Sequence, residues 1–153
     1  MNNYDDLTNK FNSLLVDYLN TFNYIEVNVG LCIRYLSDIG IEDMNKKISK
    51  MSFEKKIEHL LKLTSADENK KDLYTWSQDA HEKRHERNMY MHGQWKFIPH
   101  IQSIEFRIAP WVKEKYSNVY PGICIPLGTF EDIVLDIKDC FNKFNALRTK
   151  YGI

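Results

Sequence analysis

The sequence carries no excess of either charge: 21 lysines and arginines stand against 21 aspartates and glutamates among 153 residues. Nucleic-acid binding therefore cannot come from bulk charge, and such a role needs a local basic patch. Long apolar runs are also missing. No stretch approaches the ~18 uninterrupted apolar residues of a membrane span. The start, Met1-Asn2-Asn3-Tyr4-Asp5-Asp6, lacks the basic stretch and apolar core of a secretory leader. We expect a cytoplasmic protein with no membrane contact. Cysteine is scarce, at Cys32, Cys124 and Cys140. An odd count, each in an apolar run, reads as buried reduced thiols and not as a disulfide framework. Internal repeats and low-complexity segments are absent, so residues 1–153 read as one domain.

What is present suits a globular chain. Hydrophobic residues make up 43% and charged residues 27%. A chain of this size buries about 68–70% of its unfolded surface, enough for a core without disulfides or metal. Apolar residues at Leu7, Phe11, Leu14, Tyr18, Phe22, Ile25, Val29, Cys32 and Leu36 advance by threes and fours, one helical face. The spacing predicts a helix over 4–39, with no proline inside it, a possible bend at Gly30 and a stop at Gly40. Ser52 reads as the N-cap of a second helix whose inner face is Phe53, Ile57, Leu60 and Leu61. A third is predicted over 72–92, with Gly93 as C-terminal cap. Its apolar side, Leu73, Trp76 and Ala80, gives way to a polar second half that reads as facing away from a core. Trp76 and Trp95 read as packing residues and not as base-stacking platforms. Residues 95–100, 103–112 and 119–126 are rich in strand formers between Pro and Gly breaks. Alternation of Ile104, Phe106 and Ile108 with Glu105 and Arg107 marks a half-buried strand. Pro110, Pro121 and Pro126 limit strand length. A last helix is predicted from Thr129, with Thr129 and Asp132 at capping-box spacing. Its inner face is Phe130, Ile133, Val134, Ile137, Phe141, Phe144 and Leu147.

The chemistry concentrates in the third helix. His81, His85, Asn88 and His92 are spaced four, three and four, a single helical stripe, with Arg84 and Arg87 beside it. Arginine offers a planar fork that matches phosphate oxygens. Histidine titrates near neutral pH and can donate or accept a proton. RNA brings its own nucleophile, the 2′-hydroxyl. Its cleavage needs a base, an acid and positive charge on the phosphate, and no metal in principle. Two helices facing each other would supply two copies of Arg87 and His92. Glu26, midway along the first helix, is either a partly exposed glutamate or a partner for Arg87 or Arg84 that would support the site.

The run Arg87-Asn88-Met89-Tyr90-Met91-His92 resembles the signature of the HEPN superfamily: an arginine, a polar residue, then a histidine after four to six intervening residues. Gly93 and Trp95 behind the histidine are similar to many members. So are Phe22, Tyr24-Ile25-Glu26 and Leu31 in a long helix. The resemblance implies a mainly α fold, a HEPN-like up-and-down helical bundle. A short antiparallel β-hairpin or meander would sit between the motif helix and the C-terminal helix. It also implies a homodimer through the motif helix and a metal-independent endoribonuclease of toxin–antitoxin or antiphage type, with RNA as substrate and no cofactor. An antitoxin or other defence-system protein is the implied partner. Arg87 would bind and polarise the phosphate, Asn88 would orient the site or the RNA, and His92 would transfer a proton. Arg84, His85 and His81 join only by their place on the stripe. Some members carry a tyrosine two residues after the histidine that an antitoxin modifies; here that position is Gln94.

Two other readings stand beside this one. The same fold serves noncatalytic modules that bind a nucleotide or a protein in the dimer cleft. The run His81-Glu82-Lys83-Arg84-His85 also satisfies H-E-x-x-H, the zinc-hydrolase pattern, with Glu105 as a candidate third ligand. Lys83 and Arg84 oppose it, since two cations beside a zinc ion are unfavourable.

Overall fold

The three-and-four spacing builds one helix, α1 (Asn3–Leu36), unbroken through Gly30. Its end differs from expectation. Asp38 adopts the left-handed conformation (φ 50°), and the Ile39 amide donates to the Arg34 carbonyl, so the helix closes before Gly40. Gly40 instead precedes a short turn, α2 (Ile41–Asp43), that widens into a π-helical turn over Met44–Ile48. Ser52 caps α3 (Phe53–Thr64) by accepting from the Lys55 amide, as its type and place predict. Helix α4 (Lys71–His92) passes directly into strand β1 (Gly93–Ile98). Strands β2 (Ser103–Ile108) and β3 (Ile123–Pro126) follow, then α5 (Leu127–Tyr151). A computed structural model describes residues 3–108 and 123–153, with the backbone alone at His85, Asn88, Met89, Met91, His92 and Ile108. The expected strand portions 109–112 and 119–122, with Pro110 and Pro121, lie outside the described residues. The described chain is mainly helical with a small antiparallel sheet in the order β1-β2-β3. Among the described residues no helix is long and apolar enough to cross a membrane.

The chain divides into two compact units, residues 1–20 with 86–137, and residues 21–85 with 138–153. In the first, Trp95 pairs with Phe106 and Phe106 with Ile123 across the sheet. The alternation predicted for β2 holds where it is described: Ile104 and Phe106 are buried and Arg107 is exposed. Phe11, Tyr18, Tyr90, Phe106 and Phe130 form an aromatic core. Tyr90 lies edge-on to Tyr18, Phe106 and Phe130 at centroid distances of 5.2, 5.7 and 6.3 Å. In the second unit Phe22, Ile25, Val29, Ile57, Leu60, Leu73 and Phe144 are buried. Trp76 stacks on Phe144 at 4.1 Å and donates its indole N–H to the Cys140 carbonyl at 3.0 Å, so it packs as expected.

Three expectations are corrected. Helix α5 starts two residues before Thr129, because the Leu127 amide donates to the Gln102 carbonyl at 2.8 Å and needs no capping box. Cys32 and Cys140 are buried, but Cys124 is exposed, since the alternation of β3 turns Ile125 inward and Cys124 outward. Gly93 is no left-handed cap. It opens β1, where a methyl group would overlap the Phe106 ring. Its missing side chain admits a close ring, not an unusual dihedral. We therefore expect Gly93→Ala to cost about 1–3 kcal/mol in urea unfolding. Phe106→Leu in the same chain should recover part of that loss.

Candidate functional site

The end of α4 is fixed by Tyr90. This residue stands inside the polar half of the helix, yet it is 3% exposed, so that half is not wholly turned from a core. Its carbonyl accepts from the Trp95 indole at 3.0 Å, and its hydroxyl donates to Glu86 Oε1 at 3.3 Å. Trp95 itself is half-buried against Phe106 and Phe130, so it too packs. Arg87 is half-buried. With Glu86 and Asp136 it lies near enough to Tyr18 for all three charges to act on that buried phenol. Burial is the main force pushing the Tyr18 phenol well above its ordinary range; the negative charge of Glu86 adds to it, and Arg87 opposes it. Tyr90 is pushed the same way, by burial first and then by Glu86. The backbone at positions 88 and 92 continues the same helix; the side chains of His85, Asn88 and His92 lie outside the described residues. Tyr18, Tyr90 and Asp136 were not visible as site neighbours in the sequence. The two tyrosines read there as one more apolar step and as a spacer in a motif.

In the other unit His81 and Arg84 are already engaged. Arg84 donates from Nε to Glu54 at 3.1 Å and from Nη1 to the His81 carbonyl at 2.5 Å. Its Nη1 also lies 2.9 Å from His81 Nδ1. Arginine can only donate, so Nδ1 accepts and the ring proton sits on Nε2. Glu26 pairs with Lys56 at 3.1 Å, and Arg84 pairs with Glu54. Lys56, unnoticed in the sequence because lysine reads as surface, is a buried cation on α3.

The zinc reading changes shape here. Glu82 is exposed. The groups near His81 are Glu54 and Glu58, whose ligand atoms and that of His81 all lie within 4.8 Å of one another. Arg84 occupies the Glu54 carboxylate and the Nδ1 lone pair, and the protonated Nε2 offers none. A cation would have to displace an arginine from both. Among the described residues, Glu54, Glu58 and His81 do not fit a zinc centre in this arrangement; the His85 side chain lies outside the described residues. A scan of family models finds no match to the chain, and searches of curated proteins and of solved structures find none either.

Two measurements check these environments. Well below pH 10 both phenols are neutral in folded and unfolded chains. Above the ordinary phenol value of 10.0 the unfolded chain ionises first, because the folded values are raised. Stability is therefore expected to fall as pH rises past 10, by about 1.4 kcal/mol per pH unit for each phenol. Tyr18→Phe should remove one phenol's share of that slope. The Lys56–Glu26 pair is asymmetric, with side-chain exposures of 7% and 23%. Glu26→Gln strands a buried ammonium and should cost about 2–3 kcal/mol. Lys56→Met leaves a carboxylate that water can reach and should stay within about 1 kcal/mol of the parent. Equal losses in chemical unfolding would refute this asymmetry.

Proposed function

We propose that this chain is a HEPN-like homodimeric endoribonuclease acting without a metal ion, of prokaryotic toxin or antiphage type. One observation carries the reading. Tyr90, in the middle of Arg87-Asn88-Met89-Tyr90-Met91-His92, is anchored in the aromatic core. The turns that bear the motif therefore have a rigid carrier, as a catalytic constellation requires. At 3.6 residues per turn, positions 88 and 92 fall roughly 160° to either side of Tyr90, on the side of α4 turned away from it. Position 87 falls about 60° from Tyr90, at the edge of the core face, which agrees with its half-burial. The mainly helical architecture, with its sheet between α4 and α5, accords with the up-and-down bundle of that superfamily.

On this reading Arg87 grips the scissile phosphate, His92 takes the proton of the 2′-hydroxyl or gives one to the leaving oxygen, and Asn88 orients the RNA. The Arg87–His92 run offers one imidazole, so acid and base come from the two copies of a twofold dimer. Arg84, bound to Glu54 and His81, supports the helix and does not grip phosphate. A second reading is a noncatalytic module that uses the same face to bind a nucleotide or a protein. It is favoured by the half-burial of Arg87, and by Glu86 and Asp136, whose negative charges act on the same Tyr18 phenol as Arg87 does.

Incubation with total RNA in EDTA separates the two. Cleavage is expected for the parent chain and a loss of about 10²–10⁴-fold for His92→Ala and for Arg87→Ala, with dimer and helix content retained. A clean dimer that leaves RNA intact would instead support the binding module. Full activity in both variants would remove this site.

A further inference from the structure

Helix α1 and helix α5 meet a cavity of about 670 Å³ lined by Leu31, Arg34, Tyr35, Asp38, Ile39 and Arg148, with Gly152 and Ile153 just beyond α5. We propose that this cavity binds a small phosphate monoester of mononucleotide size, with Arg34 and Arg148 holding the phosphate. The proposal is independent of the endoribonuclease reading and uses none of its residues.

The two guanidiniums carry the argument. Within the protein, Arg34 donates from Nε to the Ile39 carbonyl at 3.3 Å, and Arg148 from Nη1 to Asn28 Oδ1 at 2.5 Å. Both acceptors are neutral. Lys56 and Arg84, by contrast, each have a carboxylate on them. Among the described residues no carboxylate lies within ion-pair distance, 4.0 Å, of Arg34 or Arg148. Arg148 Nε is moreover buried with no hydrogen-bond partner. A guanidinium has five N–H donors in a planar fork that matches phosphate oxygens, and most of them are unused here. The side chain that holds Arg148 is itself held: Asn28 donates its amide to the Tyr24 carbonyl at 2.8 Å, which aims Oδ1 at Arg148. Two positioned cations on one cavity, neither in contact with a carboxylate, are a site for a dianion.

The remaining walls fit an organic body on that phosphate. Leu31 and Ile39 are half-buried aliphatic surface, and Tyr35, 57% exposed, presents an aromatic ring. A volume of several hundred Å³ with apolar walls and a few polar anchors is ordinary for a small-molecule site. Asp38 is the single carboxylate side chain among the residues named, and it opposes the two arginines. Its left-handed backbone (φ 50°) suits asparagine equally well, so its charge can be removed without disturbing the fold.

The test uses the full chain with AMP, inorganic phosphate and adenosine as probes, read by thermal shift and by the fluorescence of a Tyr35→Trp variant. AMP should raise the melting temperature and change Trp fluorescence, and adenosine should do neither at the same concentration. Arg34→Met and Arg148→Met should each weaken AMP binding about tenfold to a hundredfold, the loss of a charge-assisted hydrogen bond. Asp38→Asn should tighten it. No response to AMP or phosphate up to about 10 mM overturns the proposal. So does adenosine binding as well as AMP, or undiminished affinity in a folded Arg34→Met, Arg148→Met double variant. If the arginine variants do not fold, an unchanged AMP affinity in Asp38→Asn overturns it.

Discussion

The aromatic packing of Tyr90 is the constraint on which the motif end of α4 depends. A tyrosine at that point commits the helix to a rotation: one face must go inward, and positions 88 and 92 must go the other way. The commitment is reinforced from both ends of the ring. Glu86, one turn earlier, accepts from its hydroxyl, and Trp95, just into β1, donates to its carbonyl. Gly93 lets the chain pass from helix to strand directly against Phe106, without an intervening loop. A helix of weak amphipathicity thus gains a defined orientation from one buried ring. The rotation does not come from a continuous apolar stripe.

Charge is handled in the same local manner. With 21 cations and 21 anions, no net field decides what the protein binds. What matters is which cation already has an anion. Lys56 and Arg84 sit on Glu26 and Glu54, and their removal from water is compensated inside the fold. Arg34 and Arg148 sit on neutral oxygens. Surface pairs such as Lys46–Glu42 and Lys143–Asp139 span one helical turn in solvent and decide little. Sorting basic residues by partner, and not by count, is what separates structural cations from those free to meet a ligand.

Periodicity made the helices legible, because burial of a face is a property of spacing alone. The stripe from Phe11 to Cys32 on α1 and that from Phe130 to Phe144 on α5 were readable for this reason, as was the Ser52 cap. Three kinds of feature were not readable. Chain stops were misplaced where a backbone partner replaced a local signal: Gln102 caps Leu127 across the sheet, and Asp38 takes the left-handed turn that Gly40 was expected to mark. Buried charge was missed at Lys56, since the glutamate that makes it tolerable is thirty positions away. The partner of Glu26 was sought among arginines for the same reason. In the candidate site the Arg87–His92 run was visible as a pattern, but the core role of Tyr90 inside it was not. Nor were Tyr18 and Asp136, which approach only through tertiary packing.

The charge around Arg87 bears on how catalysis would have to work. Phosphodiester cleavage builds negative charge on the equatorial oxygens, and a site gains rate by favouring that charge over the ground state. A single Arg87, with Glu86 and Asp136 close to the same phenol, offers a muted field. A single imidazole cannot be both base for the 2′-hydroxyl and acid for the leaving oxygen in one step. Both shortfalls are of number and not of kind, and a second copy facing the first supplies one more guanidinium and one more imidazole. The endoribonuclease reading therefore depends on a twofold partner. The binding reading does not, since one arginine on a rigid helix suffices to hold a ligand without transforming it. A monomer would thus exclude the endoribonuclease reading, whereas a dimer is compatible with both and leaves RNA cleavage to decide between them.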